Sequence, residues 1–274
     1  MKKTKSLLLS TPYLIWMVVF TLIPLGVVAY YALTDPATGA FSLGNVKNLG
    51  MYLPVLWKSI GYSLVSAFIC LLLGYPVAYY IAHRSPTAQK FLYMLVMLPM
   101  CMSFLLRTLA WVGLLQDTGI INTLLSKLGL PRLTLIRTPG AVVLGMVYNY
   151  LPFMILPIYS VIIKLDGSLL EAARDLGANS MTVFRRVILP LSLPGVISGI
   201  TMVFVPSVST FAISRMLGGG TELLLGDLIE RQFLGGAYNP QLGAAISLVM
   251  MVIVLVCMLV MNRFGEGEEQ AVML

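Results

Sequence analysis

The sequence predicts an all-α membrane protein of six transmembrane helices with a helical hairpin inserted between the fifth span and the fourth. Three observations predict it. Only 11% of the 274 residues are charged and 58% are hydrophobic. A soluble domain carries about 25% charged residues, so most of this chain's surface cannot face water. Six apolar stretches reach the roughly 20 residues that a helix needs to cross about 30 Å of hydrocarbon. One long polar segment, about residues 165–190, interrupts them.

The first stretch runs from about Pro12 to Leu33 and the second from about Ile60 to Ala82. The third runs from Phe91 to Leu115, the fourth from about Ala141 to Ile163, the fifth from about Leu191 to Ser214 and the sixth from about Leu242 to Met261. The first follows Lys2, Lys3 and Lys5, as a signal peptide would. Its apolar run is too long for one and no small-residue cleavage site follows, so it reads as an uncleaved helix. The reading is of a single transmembrane domain over residues 1–274.

The lysine cluster places the N-terminus in the cytoplasm, and six spans return the C-terminus there. Lys58, Arg107 and Arg215 then count among the outer-side cations, and Arg84, Arg174, Arg185 and Arg186 among the cytoplasmic ones. The net charge of +7 is accounted for by loops flanking spans, not by nucleic-acid binding. Cys70, Cys101 and Cys257 lie in apolar runs with no CxxC pair, which argues against a disulfide framework or a metal site. His83, the sole histidine, sits at a span end beside Arg84.

The segment from Leu165 to Pro190 reads as two short helices around a turn. Ser168 can cap the first, with Glu171 three residues on as its capping-box partner. Leu169, Ala172, Ala173 and Leu176 recur at helical spacing and form one apolar stripe. Gly177 can adopt the left-handed conformation that ends a helix. Asn179 or Ser180 can cap the second helix, which carries Val183, Phe184, Val187 and Ile188, and Pro190 marks the start of the fifth span. Such a pair is either a docking surface for a partner or a hairpin lying on lipid headgroups.

Glu171-Ala172-Ala173, Gly177 four residues on, then Phe184 and Leu189-Pro190, resembles the EAA loop of bacterial ATP-binding-cassette (ABC) importer permeases. Leu73-Gly-Tyr-Pro-Val-Ala78, Leu151-Pro-Phe-Met154, Pro157-Ile-Tyr-Ser160, Gly218-Gly219, Leu223-Leu-Leu-Gly226 and Gln232-Phe-Leu234 are similar to polyamine-type members, in particular the first permease subunit of spermidine/putrescine importers. The resemblance implies a type I ABC importer permease fold in the cell membrane. It implies that Glu171, Ala172, Ala173, Gly177 and Phe184 couple the chain to a cytoplasmic ATP-binding subunit dimer. It further implies a second homologous permease subunit and an extracytoplasmic substrate-binding protein as partners.

The chain itself contains no G-x-x-x-x-G-K-[ST] phosphate loop, so no enzymatic role and no cofactor is expected of it. H-E-x-x-H and G-x-S-x-G are absent too. No acidic residue falls mid-span, which argues against the rival reading of a secondary carrier.

Ser207, Thr210 and Ser214 are spaced as one polar stripe in the fifth span, with Phe211 beside them as a candidate plug. The stripe either lines a pathway or bonds to its own backbone and neighbouring helices. Tyr148 and Asn149 precede Pro152 in the fourth span, where an amide needs a cavity or an interhelical partner. Polyamine permeases carry an acidic residue and a tyrosine near the outer end of the fifth span, where this chain has Arg215 and Ala212. Glu222, Asp227 or Glu230 could neutralise Arg215, the second permease could carry the cation site, or the substrate could be another small organic solute.

Overall fold

The computed structural model describes residues 11–35, 39–235 and 238–272, with side chains described except at 46–48, 262 and from 264 on. Lys2, Lys3 and Lys5, on which the predicted orientation leans, lie outside the described residues. The described chain is helical, with one isolated antiparallel bridge between Thr34 and Phe41. Six stretches are long and apolar enough to cross a membrane. Contacts group into two compact units: residues up to 54 with 228–253, and residues 55–227 with those after 253.

Apart from the single turn Gly44–Lys47, the helices in chain order are α1 (Thr11–Ala32), α2 (Leu53–Ala82), α3 (Pro86–Met97) and α4 (Phe104–Leu115). Next come α5 (Ile120–Lys127), α6 (Pro139–Ile162), α7 (Gly167–Asp175) and α8 (Ser180–Val183). The last are α9 (Leu189–Ser209), α10 (Ala212–Leu217), α11 (Leu225–Leu234) and α12 (Pro240–Val272).

In the first unit Ala32 packs with Ala244 and Ala245, flanked by Val28, Leu33, Leu49 and Leu248. The end of α1 leaves carbonyls without intrahelical donors. Asn45 Nδ2 serves two groups there, donating to the carbonyls of Ala32 at 3.4 Å and Thr34 at 2.9 Å.

The second unit is built on α6 and α9. Lipid chains are as apolar as leucine, so close van der Waals packing and not the exclusion of water must hold helices together. The chain meets this with Gly195 and Gly199, one turn apart on α9. A β-carbon at Gly199 would stand 2.8 Å from the Met154 sulfur, and one at Gly195 would stand 2.9 Å from the Pro157 carbonyl oxygen. Ser59, Ser63, Ser66, Ala67, Cys70, Gly74 and Ala78, again small residues, make up the buried stripe of α2 as far as Ile81. Ser59 and Ser63 satisfy their hydroxyls on the carbonyls four residues back.

Two predicted spans are not continuous helices. The third, expected from Phe91 to Leu115, breaks after Met97 into a 3₁₀ turn, Leu98–Cys101, before α4 begins. Pro99 lacks the N–H that would continue the α-helical ladder, and Met102 is extended. The chain's third apolar stretch is instead Phe104–Lys127, itself interrupted between α4 and α5. The fifth, expected to reach Ser214, leaves the helix at Thr210, whose ψ is 138°, and resumes as α10. Gly226 closes over this break: a β-carbon there would lie 2.6 Å from the carbonyl oxygens of Ser209 and Thr210.

Candidate functional site

Three clusters of candidate side chains stand out, one in the loop hairpin, one inside the spans and one at the far end of α2.

The hairpin is built by capping. Asp166, not the expected Ser168, caps α7: its carboxylate accepts the Ser168 N–H at 2.9 Å. That bond holds the Asp166 carboxyl below the usual carboxylate range, chiefly because the backbone N–H of Ser168 favours the charged form. At the other end Gly177 takes φ 81°, its N–H donates to Arg174 O at 2.8 Å, and the Ala178 N–H donates to Ala173 O at 3.1 Å. These two bonds are a Schellman motif, so the glycine acts as the sequence predicts. Asn179 Oδ1 then accepts the Thr182 N–H at 2.8 Å and starts α8.

Beyond α8 the expected separation from the fifth span is absent. A π turn, Phe184–Ile188, carries the chain without a break into α9. A π turn absorbs the ladder bond that Pro190 cannot make. No residue of α7 is buried, and Leu169 and Leu176 are exposed at 50% and 88%. Glu171 and Ala172 are exposed and Ala173 is half-buried. Among the described residues the predicted apolar stripe is therefore left largely uncovered. Phe184 is placed differently: its ring meets Tyr75 and Tyr79 of α2 edge-on, with centroids 5.8 and 5.4 Å away. It joins the hairpin to the spans and does not face outward with Glu171.

Inside the spans, α4 brings Arg107 and Thr108 towards Asn149 and Tyr150 of α6. Asn149 Nδ2 donates to Thr108 Oγ1 at 3.4 Å and to Gly145 O at 2.9 Å, so the amide bonds between helices. Tyr150 Oη donates to Pro206 O at 3.3 Å, beside the break in α9. Tyr148 stacks edge-on against Trp111, with centroids 5.4 Å apart.

Arg107 is the surprise. Expected among the outer-side cations, it lies inside α4 with 8% exposure. Among the described residues its Nε and Nη1, and Asn149 Oδ1, have no hydrogen-bond partner. The available signal was a cation embedded in an apolar helix, a default marker of function in membranes.

The predicted hydroxyl stripe divides. Ser207 and Ser214 are buried, and they donate to Val203 O at 2.6 Å and Phe211 O at 3.0 Å on their own backbone. Thr210 is buried near Tyr150 at the helix break. Phe211 is 46% exposed and Arg215 is exposed on α10. The three hydroxyls do not share one helical face, because Thr210 is not helical.

The third cluster was not foreseen. Glu222 pairs with Lys58 of α2 and accepts a hydrogen bond from Tyr62 Oη at 2.8 Å. The Lys58 ammonium lies 5.7 Å from the Tyr62 ring centroid. The loop bearing Glu222 is pinned at its end, where the Leu225 N–H donates to Ser59 Oγ at 2.8 Å and the Leu224 N–H to Asp227 Oδ2 at 3.1 Å. Lys58, through its hydrogen bond, holds the Glu222 carboxyl below its usual range, partial burial working against it. Glu222, one candidate for neutralising Arg215, is thus committed to Lys58.

A six-span helical subunit with an exposed helical hairpin between its fourth and fifth spans has the architecture of a transport permease. Residues 71–267 match the family described as binding-protein-dependent transport system inner membrane component, and the chain belongs to that family. It is 39% identical to the spermidine/putrescine transport system permease protein PotB of Haemophilus influenzae, covering 92% of this chain and 91% of that one. It is 37% identical to PotB of Escherichia coli, with 90% and 93% coverage. The E. coli inner membrane ABC transporter permease protein YdcU is 32% identical over 83% of this chain and 75% of its own.

Among solved structures, a chain of a bacterial ABC transporter importing the acidic polysaccharide alginate superposes with TM-score 0.75 at 20% identity, covering 96% of each chain. A chain of the inward-facing MetNI methionine ABC transporter gives TM-score 0.61 at 18% identity, covering 79% of this chain and 95% of that one. The fold is that of the ABC importer permeases, and family membership replaces the secondary-carrier alternative. The chain is a multi-pass membrane protein of a family of transport permeases.

Proposed function

We propose that this chain is the pathway-forming permease subunit of an ABC importer for polyamines of the spermidine/putrescine type. The observation that carries this reading is the 37–39% identity to spermidine/putrescine permeases over nine-tenths of the chain. ATP is hydrolysed by a separate cytoplasmic subunit dimer. A second homologous permease completes the membrane portion, and an extracytoplasmic binding protein delivers the substrate. Both termini are cytoplasmic.

The exposed, unpartnered face of α7 fits a docking role. Leu169 and Leu176 would otherwise stand in water, and Ala172 leaves room for close approach by a partner. Motion of the docked ATPase is transmitted through the rigid caps of the hairpin and the continuous helix from Ser180 into α9. Phe184 passes the same displacement to α2 through Tyr75 and Tyr79. Substrate crosses by alternating access as these helices reorient.

The test is reconstitution of the assembled complex in proteoliposomes with ATP inside. Labelled spermidine or putrescine should accumulate only with ATP and loaded binding protein. Accumulation of neither amine, with assembly and ATP hydrolysis intact, would overturn the polyamine assignment and leave the importer assignment standing.

A further inference from the structure

An alkylammonium is recognised by a carboxylate that neutralises it and by an aromatic face that attracts it electrostatically. Glu222 and Tyr62 supply both, and Lys58 already fills the place with an ammonium of its own. The lysine side chain is a four-carbon stem ending in an ammonium, the same chemical unit as one end of a linear polyamine. We propose that Glu222 and Tyr62 form an ammonium-binding subsite that Lys58 occupies at rest and yields to one terminal ammonium of the transported amine. The proposal rests on the polyamine reading above and gives it a named site.

Exchange is the physical advantage. The Glu222 side chain is only 14% exposed, and a partly buried carboxylate left unpaired is costly. Replacing one ammonium by another never leaves it bare. The Lys58 side chain is 35% exposed and flexible, so it can swing to water as the substrate takes its place. The carboxylate does not depend on Lys58 alone for its position. Tyr62 Oη holds it from α2, and the loop is anchored separately through Ser59 and Leu225.

The experiment is equilibrium binding of labelled spermidine to the detergent-purified complex without its binding protein, alongside uptake by the full system. Lys58→Met removes the competitor and should tighten binding about threefold, since partly exposed ion pairs are modest. Glu222→Gln should weaken it roughly tenfold or more. Opposite directions support the exchange, because a purely structural ion pair loses the same thing from either side. Equal shifts, no shift, or loss of assembled complex in both Lys58→Met and Lys58→Gln would overturn it. Normal polyamine uptake by the parent alongside any of these results removes only this proposal. Absence of uptake by the parent removes the polyamine reading itself.

Discussion

The ring of Phe184, in the π turn that starts the fifth span, stands edge-on to Tyr79 of α2 at a centroid distance of 5.4 Å and an interplanar angle of 89°. This is the arrangement in which the positive ring edge meets the negative face, worth about 0.5–1.5 kcal/mol beyond the area buried. With Tyr75 on the other flank, Phe184 ties the hairpin to α2. Phe184→Ala should leave the complex assembled and its basal ATP hydrolysis intact, and should reduce stimulation by loaded binding protein severalfold. Phe184→Tyr should retain it. Unchanged stimulation in Phe184→Ala would show that the contact transmits nothing.

Gly177 offers a cleaner probe of the hairpin. Nothing lies within 4 Å of where its β-carbon would be, so a side chain there meets no clash, only the strain of φ 81°. That strain costs of order 1–3 kcal/mol for a β-branched residue. Gly177→Val should therefore distort the Schellman turn and uncouple ATP hydrolysis from uptake, whereas Gly177→Asn, which tolerates this region, should be nearly silent. A bulky Ala173→Trp should uncouple by blocking the docking face. Full coupling in both Gly177→Val and Ala173→Trp would remove the docking assignment.

Orientation is open to chemical labelling. Ser180 and Thr221 are both exposed. In a background lacking Cys70, Cys101 and Cys257, a cysteine replacing Ser180 should react with an impermeant reagent only from the cytoplasmic side. One replacing Thr221 should react only from outside. The reverse pattern would place the hairpin away from any cytoplasmic ATPase.

Arg107 gives a prediction on stability. Arg107 is 8% exposed, and among the described residues its buried Nε and Nη1 have no hydrogen-bond partner. A buried cation with unsatisfied donors is costly to desolvate, and an apolar side chain of similar length removes that cost. Arg107→Met should therefore match or exceed the parent's melting temperature in the isolated chain. A clear fall in the assembled complex, absent from the isolated chain, would show that another subunit supplies the counter-charge.

The sequence by itself determined the class of protein. Eleven per cent charge and six long apolar runs leave no alternative to a membrane, because unpaired backbone in hydrocarbon forces helices. It also determined the turn chemistry of the hairpin, since Gly177 and Asn179 act through bonds to residues within five positions of themselves. What escaped it was set by contacts far apart in the chain. The helix breaks at Leu98–Ser103 and at Thr210 lie inside runs that are apolar on average, and mean hydropathy does not register backbone direction. Arg107 stands in an apolar run in the sequence, but its burial beside Asn149 and Tyr150 appears only where α4 meets α6. The pairing of Lys58 with Glu222 spans 164 positions and exists only because the loop after α10 folds back onto α2. Local bonds are written in neighbouring letters; burial and ion pairing depend on which distant surfaces meet, and only the tertiary structure decides that.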